Sequence, residues 1–322
     1  MSEAKIALLP DRGVVSVTGE DARKLLGGII TNDIDALPQP GRGVAGAVHT
    51  GLLSPQGKIL FEFFVVACGD GLLLDVATHQ VPDLIKRLTL YRLRAKATIK
   101  DETDLFAVVA AWNDRPPVTM PPAHFVDPRH ADLGFRCLPM KSKIAEWTSP
   151  SALSDGAESR YHAHRIALGI PEGGKDYDFG DAFPHEANFD LFNGVSFEKG
   201  CYVGQEIVAR MEHRGTVRKR IVHVTGAGDL PTDLPTDLPT DRPTDRPTDR
   251  PTDRPDVMMG DVVIGRMGSV AGKHGLAMVR LDRAIEAIDK GKPITAAGIP
   301  LTIDAAMIAR QRQVMADRAA QP

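Results

Sequence analysis

Residues 231–254 are six consecutive Pro-Thr-Asp-X units, with Leu234 and Leu238 at X in the first two and arginine in the other four. Nothing else in the chain limits its fold as strongly. A proline at every fourth position is rejected by helix interiors and sheet centres, and the units present no apolar face to a core. The stretch is expected to be a solvated loop leaning towards polyproline II, able to reach on the order of 75 Å at ~3.1 Å per residue. Whatever packs on either side must close without it. Growing a closed loop from about 5 to about 30 residues costs only roughly 1.5 kcal/mol, so a small β structure tolerates the insertion.

The flanks agree with that requirement. Beyond Thr216 come short β-like runs at 220–224, 262–265, 276–281 and 301–303, a spacing that suggests a small barrel or sandwich. Upstream, strand-like runs at 13–17, 59–66 and 71–76 alternate with helical ones at 18–26 and 81–88, the latter with Pro82 placed for a first helical turn. A second α+β stretch follows, with strands expected at 105–110 and 135–138, a proline-rich loop at 116–122, and a helix at 161–168 ended by Gly169 and Pro171. With 322 residues, one very large domain or two to three modest ones would fit. The expected division is a first α+β module at 1–101, a second at 102–215, a β-barrel at 216–310 carrying the repeat, and a flexible tail at 311–322.

Composition narrows the function classes. A net charge of −3 argues against a dedicated nucleic-acid surface, and no apolar run approaches the roughly 20 residues of a membrane span. Cys68, Cys137 and Cys201 are odd in number, far apart and without a C-x-x-C pair, so neither a disulfide framework nor a zinc site is indicated. With no secretory segment at the start, the expected compartment is the cytoplasm. His162 and His164, two apart on a helix, point to different faces, and no metal site is expected. Gly173-Gly174-Lys175 lacks the rest of a phosphate loop and reads as a turn. Cys68 and Cys137, at the ends of apolar runs, read as core residues.

Cys201 is different. It lies in Lys199-Gly200-Cys201-Tyr202-Val203-Gly204-Gln205-Glu206, just ahead of a helical pattern with Ile207, Val208 and Met211 on one face. Unpaired N–H groups at a helix start, together with the Lys199 ammonium, favour a thiolate there. The alternative is a structural cysteine buried in a tight turn.

The run from Val195 to Arg210, VSFEKGCYVGQEIVAR, resembles the signature of the YgfZ family, folate-binding relatives of the glycine-cleavage T-protein that assist iron-sulfur cluster assembly. Further segments carry the same resemblance: Val17-Thr18-Gly19-Glu20-Asp21-Ala22, Thr31-Asn32-Asp33, Leu53-Ser54-Pro55-Gln56-Gly57-Lys58-Ile59, Tyr91-Arg92-Leu93-Arg94, residues 165–172 and Pro184-His185-Glu186. It covers nearly the whole chain apart from the repeat and the last dozen or so residues. The implied fold is α+β, a T-protein-like ring of α+β modules followed by a C-terminal β-barrel, with tetrahydrofolate or a derivative in the central opening.

The resemblance also implies roles. Glu186 aligns with a pterin-contacting glutamate, and a buried carboxylate suits the adjacent amino and ring N–H donors of a pterin. Tyr202 and Tyr91 are candidates for walls against the ring, and Arg92, Arg94 and Arg210 for cations near the glutamate tail. Gln205 and Glu206, from the signature, complete the folate-contact candidates, and Cys201 with Lys199 forms the candidate chemical group. Where T-proteins carry consecutive acids that handle the proton of the folate amine, this chain has Phe61-Glu62. Adjacent strand residues face opposite sides, so Glu62 cannot stand in for its neighbour. The expected function is therefore a folate-dependent accessory role in assembling or repairing iron-sulfur proteins, with client enzymes or assembly proteins as partners. Aminomethyl transfer is the alternative, and a plain folate-binding module a third reading.

Overall fold

A computed structural model describes residues 5–37, 46–69, 71–112, 123–147, 156–215, 217–231 and 254–319. The proline-rich loop at 116–122 and nearly all of the repeat lie outside the described residues. The chain divides into two compact units, the first comprising Met1–His164, Phe179–Pro184 and Phe189–Ala209, the second Arg165–Asp178, His185–Asn188 and Arg210–Pro322.

The first unit holds β1 (Lys5–Leu8), β2 (Arg12–Thr18), α1 (Ala22–Gly27), β3 (Ala47–Leu53), β4 (Ile59–Cys68), β5 (Gly71–Ala77), α2 (Val81–Arg92), β6 (Thr98–Asp101), β7 (Val109–Trp112), β8 (His124–Val126), β9 (Phe135–Cys137) and the short α3 (Ile144–Trp147). α4 (Ala157–Ala167) begins in it. Two antiparallel sheets result, ordered β3-β4-β5-β2-β6 and β1-β7-β9-β8. The strand expected at 105–110 starts later, at Val109, because the N–H groups of Leu105 and Phe106 both turn back to the Glu102 carbonyl.

Alternation in β4 divides the five-stranded sheet into two faces. Phe61, Phe63 and Val65 join Leu26, Leu84 and Leu88 of α1 and α2 in one apolar core. The opposite face carries Glu62, Phe64 and Asp75, and there a buried ionic network ties the two sheets. Asp75 on β5 accepts from Arg12 Nε at 2.6 Å and from Arg136 Nη1 of β9 at 2.7 Å. Arg136 and Arg129 both reach Asp127 and the Tyr161 hydroxyl of α4. Their guanidinium groups lie 4.5 and 4.9 Å from the Phe64 ring centroid. Burial alone would raise the Asp127 carboxyl, but the two arginines outweigh it and hold the group well below the usual carboxylate range.

α5 (Gln205–Arg214) carries the chain into the second unit. There β10 (Lys219–Gly226), β11 (Asp256–Met259), β12 (Val262–Ala271), β13 (His274–Arg280), β14 (Ile294–Ala296) and β15 (Ile299–Ile303) close into a barrel of order β10-β13-β12-β11-β14-β15. Of the two readings left open for this segment, barrel or sandwich, the barrel is the one formed. Arg165, fully buried, ties residues 165–178 to it through Asp176 Oδ2 at 2.7 Å and Ser269 Oγ at 2.8 Å.

Two helices here differ from the sequence expectation. Leu281, read as a strand end, opens α6 (Leu281–Asp289), whose Leu281, Ala284, Ile285 and Ala287 are buried. The segment expected as a flexible tail from 311 is largely helix, α7 (Ala305–Ala319), pinned by buried Ile308 and by Gln311 Nε2 donating to the Val217 carbonyl at 3.3 Å. Among the described residues no helix is long and apolar enough to cross a membrane.

Candidate functional site

Three segments far apart in sequence converge in the first unit. The Thr31 hydroxyl donates to the Gly194 carbonyl at 2.6 Å and accepts from Gly51 N at 2.8 Å. Asn32 Nδ2 bridges the carbonyls of His49 and Asn193, and Ser196 N donates to the Thr31 carbonyl at 3.0 Å. Residues 193–196 are thereby fastened to the turn that follows α1 and, through it, to β3. The Gly57 turn meets the Gly204 turn as closely. Gly204 has φ +83°, and a Cβ there would lie 2.7 Å from the Ser54 carbonyl and 3.1 Å from Gly57 Cα. Gly204 is required by this approach of backbone to backbone, and Gly57, at φ +79°, by the Ile207 side chain, which a Cβ there would meet at 2.9 Å.

Lys199 reinforces the same junction. Its ammonium donates to the carbonyls of Gly27, Ile30 and Asn32 at 2.8, 2.7 and 3.0 Å. An ammonium has three N–H donors, so all are committed to backbone and none is left for a neighbouring sulfur. Burial lowers its pKa, opposed by the carboxylates of Asp33 and Asp35. The group lies 5.2 Å from the Tyr202 ring centroid, giving a cation–π contact.

Cys201 is exposed, on the braced segment between Lys199 and the Gly204 turn, and α5 begins four residues later at Gln205. The alternative of a buried structural cysteine does not apply. No cysteine forms a disulfide; burial pushes the Cys137 thiol up to about 12 and that of Cys68 upward. Cys201 is thus the accessible thiol of the three.

The other candidates are distributed between the units. Tyr202 is buried, its hydroxyl pushed up to about 12 by that burial, and its backbone N–H donates to Gln205 Oε1 at 3.4 Å. Glu206 is exposed on the first turn of α5. Tyr91 packs against the apolar core of the five-stranded sheet, Arg92 Nη1 donates to the Ala97 carbonyl at 3.3 Å, and Arg94 is exposed. In the second unit, Glu186 is 7% exposed with Lys219 Nζ at 3.4 Å, and Arg210 is exposed on α5.

The acid positions read from the sequence lie on opposite faces, as strand alternation requires. Phe61 is in the apolar core, and Glu62 Oε1 lies 2.8 Å from His49 Nε2. His49 Nδ1 is 3.0 Å from the Phe192 carbonyl, so each ring nitrogen has an oxygen partner. Sequence reading missed this pair, because it is made only by the β3–β4 register, which sets His49 opposite Phe64 and Glu62 opposite Gly51, one diagonal step apart. It also missed Asp11, Glu158 and His162, whose ligand atoms lie within 4.8 Å of one another. The i, i+4 spacing of Glu158 and His162 was the available signal.

Comparison with known proteins gives three findings. Residues 218–309 match the family described as CAF17, C-terminal beta-barrel domain. The chain is 38% identical over 232 residues to the mitochondrial iron-sulfur cluster assembly factor IBA57 homolog of Mycosarcoma maydis, covering 68% of this chain and 56% of that protein. It is 33% identical over 249 residues to human mitochondrial iron-sulfur cluster assembly factor IBA57, covering 70% and 67%. The chain thus spans about half to two thirds of the length of the curated relatives it matches. Its fold is that of the glycine cleavage system aminomethyltransferase T of Bartonella henselae, with TM-score 0.65, 13% identity, and coverage of 96% of this chain and 87% of that one.

Proposed function

Because the chain belongs to the family of iron-sulfur cluster assembly factor IBA57, we propose that it assists assembly or repair of iron-sulfur proteins in a folate-dependent way, with Cys201 as its chemical group. The observation that carries this reading is the exposure of Cys201 on a segment whose backbone is fixed by Thr31, Asn32 and Lys199. Such a thiol is held in place yet remains accessible to a partner's sulfur or iron. Lys199 serves as a positioning group. With one exposed thiol per chain, a cluster held here would need ligands from a partner.

Folate dependence is supported by the T-protein-like fold and by Glu186, a buried carboxylate of the kind that accepts the paired donors of a pterin. Arg210, exposed on α5, is suited to the anionic tail. The active compartment would be a reducing one, the cytoplasm or the mitochondrial matrix, since the three thiols are unpaired. Aminomethyl transfer is disfavoured because Phe61 is sealed in the core and Glu62 is engaged by His49.

Complementation tests the proposal. In a strain lacking this protein, the wild-type chain should restore iron-sulfur enzyme activity, and Cys201→Ala should restore it poorly; full rescue by Cys201→Ala would remove the thiol's role. Glu186→Gln should weaken tetrahydrofolate binding about tenfold or more, equivalent to ~1.4 kcal/mol. Unchanged affinity would remove Glu186 from the site. Formation of methylene-tetrahydrofolate from an aminomethylated lipoyl carrier would favour the transferase instead.

A further inference from the structure

α2 ends in a turn that stability alone does not explain. Leu93 follows the helix with φ 45° and ψ −108°, and Ala95 N donates to the Arg92 carbonyl at 2.7 Å. That is a type II′ turn with Leu93 at its first central position, where glycine is normally required. A branched aliphatic side chain is strained there, and this one is also 86% exposed. The turn is held from its far side. Lys96 N donates to Asp21 Oδ2 at 2.8 Å, and a Cβ on Gly19 would meet the Lys96 carbonyl at 2.3 Å, so the backbone following the turn has no room to relax.

Leu90, one turn earlier on α2, is 63% exposed, although the helix buries Val81, Leu84 and Leu88. Lys86 and Arg87, four and three residues before Leu90 on α2, are exposed with it, and Arg94 is exposed next to Leu93 in the turn. A strained backbone therefore presents two apolar side chains within a cationic rim. Interfacial membrane helices need a continuous apolar face, and the continuous face of α2 is already spent on the core.

We propose that this turn is a docking prong for an acidic protein partner, Leu90 and Leu93 entering an apolar socket whose rim of carboxylates faces Lys86, Arg87 and Arg94. The inference rests on the assembly-factor reading, and the partner is then an iron-sulfur client or assembly protein. Leu93 is the anchor, and the cations set orientation and encounter rate.

Leu93→Gly separates docking from folding, because glycine relieves the turn while deleting the anchor. In the strain used for complementation, the full-length Leu93→Gly chain should restore iron-sulfur enzyme activity at least about fivefold less well than wild type, a loss typical of removing an interface anchor. Its Tm should be unchanged or higher, and its tetrahydrofolate affinity unchanged. Leu93→Met should retain function, and Lys86→Glu with Arg87→Glu should lose it. A photo-crosslinker at position 90 should join the chain to an iron-sulfur protein in the same cells, and the product should disappear with Leu93→Gly. Full rescue by Leu93→Gly would overturn the prong, as would a loss accompanied by a lower Tm. Leu93-dependent sedimentation with phosphatidylcholine vesicles holding about 30% phosphatidylserine would make it a lipid contact and overturn it too. Failure of the wild-type chain to rescue would instead refute the assembly-factor reading.

Discussion

The Lys199 ammonium gathers the carbonyls of Gly27, Ile30 and Asn32, groups that the end of α1 and the turn after it leave without other described donors. Removing the ammonium leaves three oxygens to find other partners, so Lys199→Met should destabilise the chain by about 2 kcal/mol or more, lowering Tm by about 4 °C or more. Cys201→Ser, at an exposed position, should change stability by less than about 0.5 kcal/mol. Thermal melts of the two variants separate brace from thiol; equal losses would mean that Cys201 is itself structural. That Lys199 and Cys201 share one distinctive segment was legible in the sequence, but the partners of the Lys199 ammonium were not. Proximity along the chain suggested a lysine aiding a thiolate, whereas its hydrogen-bond partners lie some 170 residues away in sequence.

At the scale of elements, the two sheets of the first unit are joined by buried charges rather than by apolar packing alone. Asp127 illustrates the consequence. Its folded pKa is depressed below the ordinary 3.8, so between the two values the unfolded chain binds more protons than the folded one, and stability falls as pH falls through that window. Asp127→Asn should therefore give a shallower fall of Tm between about pH 4 and pH 2, and a lower Tm at pH 7, by an amount reflecting the ~3–5 kcal/mol typical of breaking a buried pair. An unchanged acid slope would show that Asp127 titrates normally in the folded state. Sequence marked the strands well, since the apolar runs 59–66 and 71–76 fall within β4 and β5. It did not mark the network, because an arginine reads as surface until Arg12, Arg129 and Arg136 are found around two aspartates. α7 was missed for a related reason: its exposed alanines and charges look like a tail, and its anchors, Ile308 and Gln311 with Met307 beside them, are few and widely spaced.

For the whole molecule, the repeat falls between β10 and β11, whose flanks are fixed. Leu230 is buried with its N–H bonded to the Gly272 carbonyl at 2.9 Å, and Met267 N donates to the Pro255 carbonyl at 2.9 Å. The barrel closes through β15 on β10 and β14 on β11 without using the repeat. Replacing residues 232–253 by a short Gly-Ser linker should therefore change loop-closure free energy by only about 1 kcal/mol, and Tm by a few degrees at most. A deletion that misfolds would show that the repeat is part of the barrel's structure. The sequence by itself determined the α+β class, the place of the insertion within the β segments, and the segments worth watching, because proline content, apolar strand runs and glycine placement act locally. Only the tertiary structure decided that Thr31, Gly57 and Lys199 form one brace beneath Cys201, that Glu62 is bound to His49, and that Leu93 is strained and outward. Those outcomes depend on which distant backbone approaches which side chain, and the pattern along a single segment does not record it.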